Sequence, residues 1–174
     1  MSEDFLEVIC TTLCPTLSRA QAGALLALTE PVGIAAGENL FCEGEPGKGL
    51  FFFVAGQVEI VQQRRDGSPQ SVRIIKAPSL LGEISLVMDG PHTATARALS
   101  HCELRFLPKE QFHRRIESSD MAAHRLALGI AVIIARRLLR LNETLLDLAA
   151  SGDVTPRIEE IARLKQKIFS EWSF

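Results

Sequence analysis

Between residues 32 and 107 the chain is a series of short β-prone runs punctuated by glycine, at positions 33, 37, 44, 47, 49, 56, 67, 82 and 90. Strand-like runs alternating with turn residues at regular spacing argue for an antiparallel sandwich or barrel. The clearest hairpin pairs Gln57-Val58-Glu59-Ile60-Val61 with Ser71-Val72-Arg73-Ile74-Ile75 through a turn at Arg65-Asp66-Gly67. Asp-Gly favours such a turn because both central positions of a type I′ turn need positive φ. A further strand is expected over residues 93–99. Its alternation puts Ala94, Ala96 and Ala98 on one face and Thr93, Thr95 and Arg97 on the other.

Both flanks have a helical period. Phe5, Val8 and Ile9 form a first apolar face that Cys14-Pro15 interrupts. Ser18 followed by Gln21 is a capping-box signal for a second helix, which carries Ala22, Leu25, Leu26 and Leu28 and stops before Pro31. After Pro108 a short helix is expected over residues 109–115, and a long one from Asp120 to Ala149 or Ala150. The expected organisation is N-terminal helices over 1–31, a β-roll over 32–108, a hinge and long helix over 109–150, and a tail helix over 151–174.

The long helix carries a seam. Ala127, Ala131, Ile134, Leu138, Leu141, Leu145 and Leu148 follow steps of four and three, the a/d pattern of a coiled coil. Leu126, Ile130 and Ile133 form a second apolar set. Such a helix is about 45 Å long, more than a small barrel can cover. One face can pack on its own barrel while the seam meets a second copy, although packing of every apolar residue within one protomer also fits the pattern. We expect a homodimer through Ile134, Leu138, Leu141 and Leu145.

Several functional classes are disfavoured. Lys and Arg total 19 against 21 acids, a formal charge of −2, which gives no electrostatic footprint for nucleic acid. The tail, with Ile158, Ile161, Ala162, Ile168, Phe169 and Trp172, is too short for a helix-turn-helix unit with its supports, so no DNA partner is expected. The longest apolar run, residues 126–135, is about half of what a bilayer requires. The N-terminus lacks the basic start and apolar stretch of a signal peptide, so the expected location is the cytoplasm. Cys10, Cys14, Cys42 and Cys102 have no paired spacing, so they are expected to be reduced, with no metal and no cofactor. No Ser/His/Asp order or convergent carboxylates stand out. His92, His101, His113 and His124 read as surface or supporting residues, and the chain is not expected to be an enzyme.

The stretch with most chemistry is Leu80-Leu81-Gly82-Glu83-Ile84-Ser85-Leu86, followed by Pro91-His92-Thr93-Ala94-Thr95-Ala96-Arg97-Ala98. Gly82 permits an unusual backbone angle and close approach by a ligand. If residues 83–87 form one helical turn, their free N–H groups converge on a spot suited to phosphate. Glu83, wrong beside an anion, would suit sugar hydroxyls, and Thr93 could add a hydroxyl. A plain β-connection that turns at Gly82 fits the spacing equally well.

Two motifs separate these readings. The first is Gly37-Glu38-Asn39-Leu40-Phe41-Cys42-Glu43-Gly44-Glu45-Pro46-Gly47, continued by Leu50-Phe51-Phe52-Phe53-Val54-Ala55-Gly56-Gln57-Val58. The second is residues 81–86 with Pro91 and residues 93–98. Together they resemble the cyclic-nucleotide-binding domain family, and Ala135-Arg136-Arg137-Leu138 is similar to its bacterial Crp/Fnr-type regulators. The resemblance implies an α+β, mainly β fold: an antiparallel double-stranded β-helix, or jelly-roll-like β-roll, flanked by N-terminal helices and a long C-terminal helix. It implies a sensor for cAMP or cGMP in which Gly82, Glu83, Ile84, Ser85 and Leu86 line the pocket. Glu83 would hold the ribose 2′-hydroxyl, Ser85 and Leu86 would offer backbone to the cyclic phosphate, and Thr93 a hydroxyl. Leu141 and Asn142 occupy the positions expected to reach the base.

One position departs from the family. After Pro91 the family carries an arginine that pairs with the phosphate, and this chain has His92. Guanidinium is always charged and forks onto phosphate, whereas neutral imidazole offers one donor. Losing that contact costs on the order of 2–4 kcal/mol, roughly thirtyfold or more in affinity. Arg97 is not an obvious substitute, because the family commonly has a basic residue there as well. The alternative to a sensor is a degenerate fold that binds no cyclic nucleotide and acts as a dimerising protein-interaction module.

Overall fold

The computed structural model describes residues 3–150 apart from Arg65 and Asp89. The expected tail helix, with Ile161, Ile168 and Trp172, lies outside the described residues, as do the side chains of Leu141, Leu145 and Leu148. Eight strands form two four-stranded antiparallel sheets, flanked by helices. One sheet contains β1 (Glu30–Ile34), β8 (Cys102–Pro108), β3 (Gly49–Ala55) and β6 (Ser79–Leu81), in that order. The other runs β2 (Asn39–Phe41), β7 (Thr95–Ala98), β4 (Gln57–Gln63) and β5 (Pro69–Lys76). This is the expected mainly β architecture.

Why β3 reads Leu-Phe-Phe-Phe-Val without alternation is now clear: both of its faces are covered. Phe51 and Phe53 join Val58, Ile75, Leu81, Ala98, Cys102 and Leu104 in the core between the sheets. Leu50 and Phe52, equally buried, point the other way. On that face Arg105, paired with Phe52, sends its guanidinium to the carbonyl of Thr29 at 2.8 Å and to its hydroxyl at 2.9 Å. Each fully buried phenylalanine contributes about 1.5–3 kcal/mol.

The N-terminal helices form as their caps suggest. Helix α1 (Glu3–Val8) runs into a π-helical turn over Ile9–Leu13, closed by the Cys14 amide donating to the Ile9 carbonyl. Pro15 has no N–H with which to continue. Helix α2 (Arg19–Leu26) opens with both arms of the Ser18–Gln21 capping box in place. Strand β1 begins at Glu30 and includes Pro31, which an edge strand tolerates because no partner on the outer side needs its N–H.

Two expectations need correction. The β4–β5 hairpin turns where expected, but of Asp66 and Gly67 only the glycine has positive φ, so the turn is not type I′. The Arg64 amide donates to the Ser68 carbonyl, and Asp66 accepts from both the amide and the hydroxyl of Ser68. The last strand of the β2 sheet, β7, begins at Thr95 rather than Thr93, although Ala96 and Ala98 do face the core.

Helix α4 (Lys109–Glu117) and helix α5 (Met121–Ala150) complete the fold. Asp120 accepts from the Ala122 amide at 2.8 Å, which caps the start of α5. Ala122, Ala123, Leu126 and Ile130 are buried. Gly129 lies against the N-terminal segment, where a β-carbon would meet Thr16 Oγ1 at 3.0 Å and Cys14 Sγ at 3.3 Å. The Thr16 hydroxyl donates to the Arg125 carbonyl at 2.8 Å. One compact unit ends at Val132, and the rest of α5 belongs to a second. Along the expected seam Ala127 and Ile134 are half-buried, while Ala131 and Leu138 are exposed. Among the described residues no helix is long and apolar enough to cross a membrane.

Candidate functional site

Gly82 ends β6 with φ +81°, and an added β-carbon would sit 2.7 Å from the Gly49 carbonyl oxygen. Both the backbone angle and the close approach therefore require glycine. Helix α3 (Glu83–Met88) starts at the next residue, and the Leu86 amide donates back to the Gly82 carbonyl. The expected helical turn is therefore present. Within it Glu83, Ser85 and Leu86 are buried and Ile84 is half-buried. The first amides of such a turn have no carbonyl of their own helix to bond.

The loop after β2 closes over this turn. Gly47 fits against Ser85 so tightly that a β-carbon would come within 2.4 Å of its side chain. Its amide donates to Gly90, the His92 amide donates to the Glu45 carbonyl, and the Gly44 amide donates to the His92 carbonyl. Pro46 and Pro91 are bridged between these bonds. Residues 44–47 thus run antiparallel to 90–92 and hold His92 by its backbone from both sides.

The His92 side chain turns inward. Its ring stacks on Phe41 with centroids 3.9 Å apart and planes 9° from parallel, and the residue is 6% exposed. Nδ1 lies 3.3 Å from Ser85 Oγ. The Ser85 hydroxyl proton is already given to the Gly82 carbonyl at 3.0 Å. With the hydroxyl on the Gly82 carbonyl, Ser85 Oγ is placed to accept from Nδ1–H, the arrangement in which a neutral ring carries no proton on Nε2. Burial pushes the imidazole below its ordinary range, and the Glu45 carboxylate pulls it partly back. Of the four histidines read as surface or supporting residues, His101 and His124 are exposed, His113 is half-buried, and His92 belongs to the interior.

The sequence-derived set is brought together only in part. Gly82, Glu83, Ile84, Ser85 and Leu86 lie in one turn, and His92 reaches Ser85. Thr93 is exposed and precedes β7, where its carbonyl accepts from Gln62 Nε2 at 3.0 Å. Thr95, rather than Thr93, binds the loop after β2, through its hydroxyl and the Glu43 amide. Arg97 is paired with Glu59 at 2.6 Å. Phe41, Glu45 and Gly47 were missed as site residues. All three lie in the first motif, but nothing in their spacing says that this loop folds onto a turn forty residues away. Among the described residues no cluster of three or more His, Cys, Asp or Glu could hold a metal ion. An open cleft of about 430 Å³ bounded by Leu28, Gln111, Arg114, Arg115 and Ser118 shares none of these side chains.

Residues 31–119 match the family described as Cyclic nucleotide-binding domain. The chain belongs to this family. A CRP-like cAMP-activated global transcriptional regulator of Mycobacterium tuberculosis is 28% identical over 84% of this chain and 65% of its own length. Among solved structures, the N-terminal domain of a transcriptional regulator from Streptomyces coelicolor is 31% identical, with a TM-score of 0.62 over 76% of this chain and 89% of that one. The Thermus thermophilus catabolite activator protein is 27% identical, with a TM-score of 0.64 over 77% of this chain and 61% of that one. The chain therefore spans somewhat less than two thirds of the full-length curated regulator it matches.

Proposed function

We propose that the chain is a cyclic-nucleotide sensor module that binds cAMP or cGMP at α3. The observation that carries this reading is the junction at Gly82, where a left-handed glycine opens a helical turn whose first residue is the buried Glu83. Glu83 accepts from the ribose 2′-hydroxyl, the amide of Ser85 lies at the phosphate end, and Leu86, whose amide is held by the Gly82 carbonyl, closes the turn beneath it. Ile84 lines the wall, and His92 takes the place of the phosphate-pairing arginine. Thr93, two residues before β7, supplies a hydroxyl from the rim. The regulators named above support the ligand class, and none of their names calls for catalysis by this domain.

In this reading the module acts in the cytoplasm as a homodimer through the α5 seam around Ile134 and Leu138, passing its signal to a partner protein. The exposed Leu138 supports that arrangement. A second reading rests on His92. A neutral ring packed on Phe41 and bonded to Ser85 supplies no fixed charge to a phosphate, which favours a degenerate domain that dimerises without a nucleotide.

Calorimetric titration of the chain with cAMP and cGMP, alongside His92→Arg, separates the two. Binding by the unaltered chain supports the sensor. Binding gained only by His92→Arg supports the degenerate module, and no binding below millimolar by either form removes the sensor reading. Light scattering of Leu138→Glu tests the dimer, and an unchanged dimer would contradict the seam.

A further inference from the structure

We propose that the site takes up its anionic ligand together with a proton from solvent, which adds to Nε2 of His92 and makes the ring the cation that the phosphate needs. This rests on the reading of the site as a cyclic-nucleotide pocket and concerns how that pocket is regulated. Three observations on the ring carry it.

First, the hydrogen bonds accommodate the imidazolium with Nε2 as its second donor. Ser85 Oγ gives its proton to the Gly82 carbonyl and accepts from Nδ1, so Nε2 is the nitrogen free to become a donor. Protonation leaves the bond to Ser85 intact and requires no turn of the ring. Second, Phe41 lies face to face with the imidazole at 3.9 Å. A cation over an aromatic face is attracted by the ring quadrupole, so this stack holds the imidazolium as well as the imidazole. Third, the surroundings keep the ring neutral until an anion arrives. The residue is 6% exposed, and burial disfavours its charged form.

The charged groups on the segments around the ring, among the described residues, are few. Glu45 on the bracketing loop is the carboxylate that acts on it. Glu83 on α3 is buried and has interactions of its own. Glu43 is turned away to the Gln63 amide, the Lys48 carbonyl accepts from Lys109, and β2 contributes Asn39, Leu40 and Phe41, which carry no charge. Arg97 is engaged by Glu59, and Lys48 beside the bracketing loop is exposed. A phosphodiester monoanion placed here supplies the opposite charge that favours imidazolium. Ligand and proton then bind with mutual reinforcement, as linkage requires.

The test is titration of the full chain with cAMP and with cGMP between pH 5.5 and 8, each pH in two buffers of different ionisation enthalpy. We expect the measured heat to depend on the buffer, with about one proton taken up per nucleotide near neutral pH. The dissociation constant should tighten by up to about tenfold per unit fall in pH, and level off once the unliganded ring is itself protonated. His92→Gln should bind more weakly, with neither buffer nor pH dependence. His92→Arg should bind tightly and also lose both. Binding by the unaltered chain that is flat in pH and indifferent to buffer overturns the proton linkage and leaves the sensor reading standing. Binding seen only with His92→Arg overturns the linkage too, and binding by no form at any pH removes both. The buffer measurement uses the unaltered chain, so it stands even if a variant fails to fold.

Discussion

Arg97 donates to Glu59 across the β4–β7 pair at 2.6 Å, directly opposite it in register. Because Ala96 and Ala98 on either side face the core, this guanidinium belongs to the opposite face of the sheet. Replacing Arg97 with Met should leave nucleotide affinity unchanged and lower the melting temperature only slightly, since exposed ion pairs contribute little. A large loss of affinity in calorimetry would place Arg97 in the site after all.

Adding a methyl group where the loop meets α3 should be costly. Gly82→Ala meets backbone at 2.7 Å and forces a positive φ on an alanine, while Gly47→Ala drives into Ser85. Each should destabilise by about 1–3 kcal/mol in urea unfolding, with Gly82→Ala the worse because carbonyl and dihedral cannot both relax. Gly37→Ala is the control for φ alone, with nothing within 4 Å of its added carbon.

Acid should weaken the free protein through His92. Its folded value is depressed, so below the ordinary value of about 6.5 the unfolded chain binds a proton that the folded chain refuses. Stability therefore falls as pH drops through that range, and the fall ends once the folded ring titrates. Glu45 moderates the loss, since its carboxylate favours the charged ring. Urea unfolding from pH 7.5 down to 5.5 should show a shallower dependence for His92→Gln than for the unaltered chain. Superimposable profiles would show that burial of this ring is not what the acid acts on.

The thiols should divide by burial. Burial pushes the Cys14 thiol up to about 12, and Cys102 is also fully buried, with its sulfur 3.3 Å from the Gln57 carbonyl. Neither should react with iodoacetamide at neutral pH until the protein unfolds, Cys14 because the thiolate is the reactive form and Cys102 because the reagent cannot reach its sulfur. Peptide mapping after native alkylation should find label, if any, at the half-buried Cys10 and Cys42. Early modification of Cys14 would mean that the π-helical turn opens under native conditions.

Leu126 and Ile130 should prove structural rather than regulatory. Both have no measurable exposure, and truncating either to Ala should cost about 2–5 kcal/mol. Leu128 and Leu139, exposed on the same helix, should cost far less in an isolated chain. Chemical denaturation of the four variants tests this ordering.

How much of this was legible beforehand depended on the range of the interaction. The Ser18–Gln21 box, the strand sites, the turn opening at Gly82 and the start of α5 at Asp120 are set by neighbours within a few residues, so the sequence displays them. The type of the hairpin turn was misread because Asp66 satisfies Ser68 through its side chain, a bond that competes with the type I′ turn an Asp-Gly pair otherwise favours. The burial of His92 was hidden for a longer-range reason. It depends on Phe41 from one sheet and Ser85 from a helix, brought together by a loop whose glycines give no hint of what they touch. The start of the strand reads as Thr93 because alternation runs on through residues 93 and 94 before pairing with β4 begins at Thr95.

The contacts at Thr16 and Gly129 bear on how this domain can be cut. The stretch that carries the family likeness ends at residue 119, yet Thr16 and Arg125 are bonded in both directions, and Cys14 fills the notch left at Gly129. Excising residues 31–119 would remove the buried Leu25, Leu26, Leu126 and Ile130 and leave the Arg105 guanidinium without the Thr29 and Leu26 groups that it binds. The heritable motif and the self-sufficient folding unit therefore have different borders. The smallest fragment fit for biophysics should run from the first helix through at least Val132.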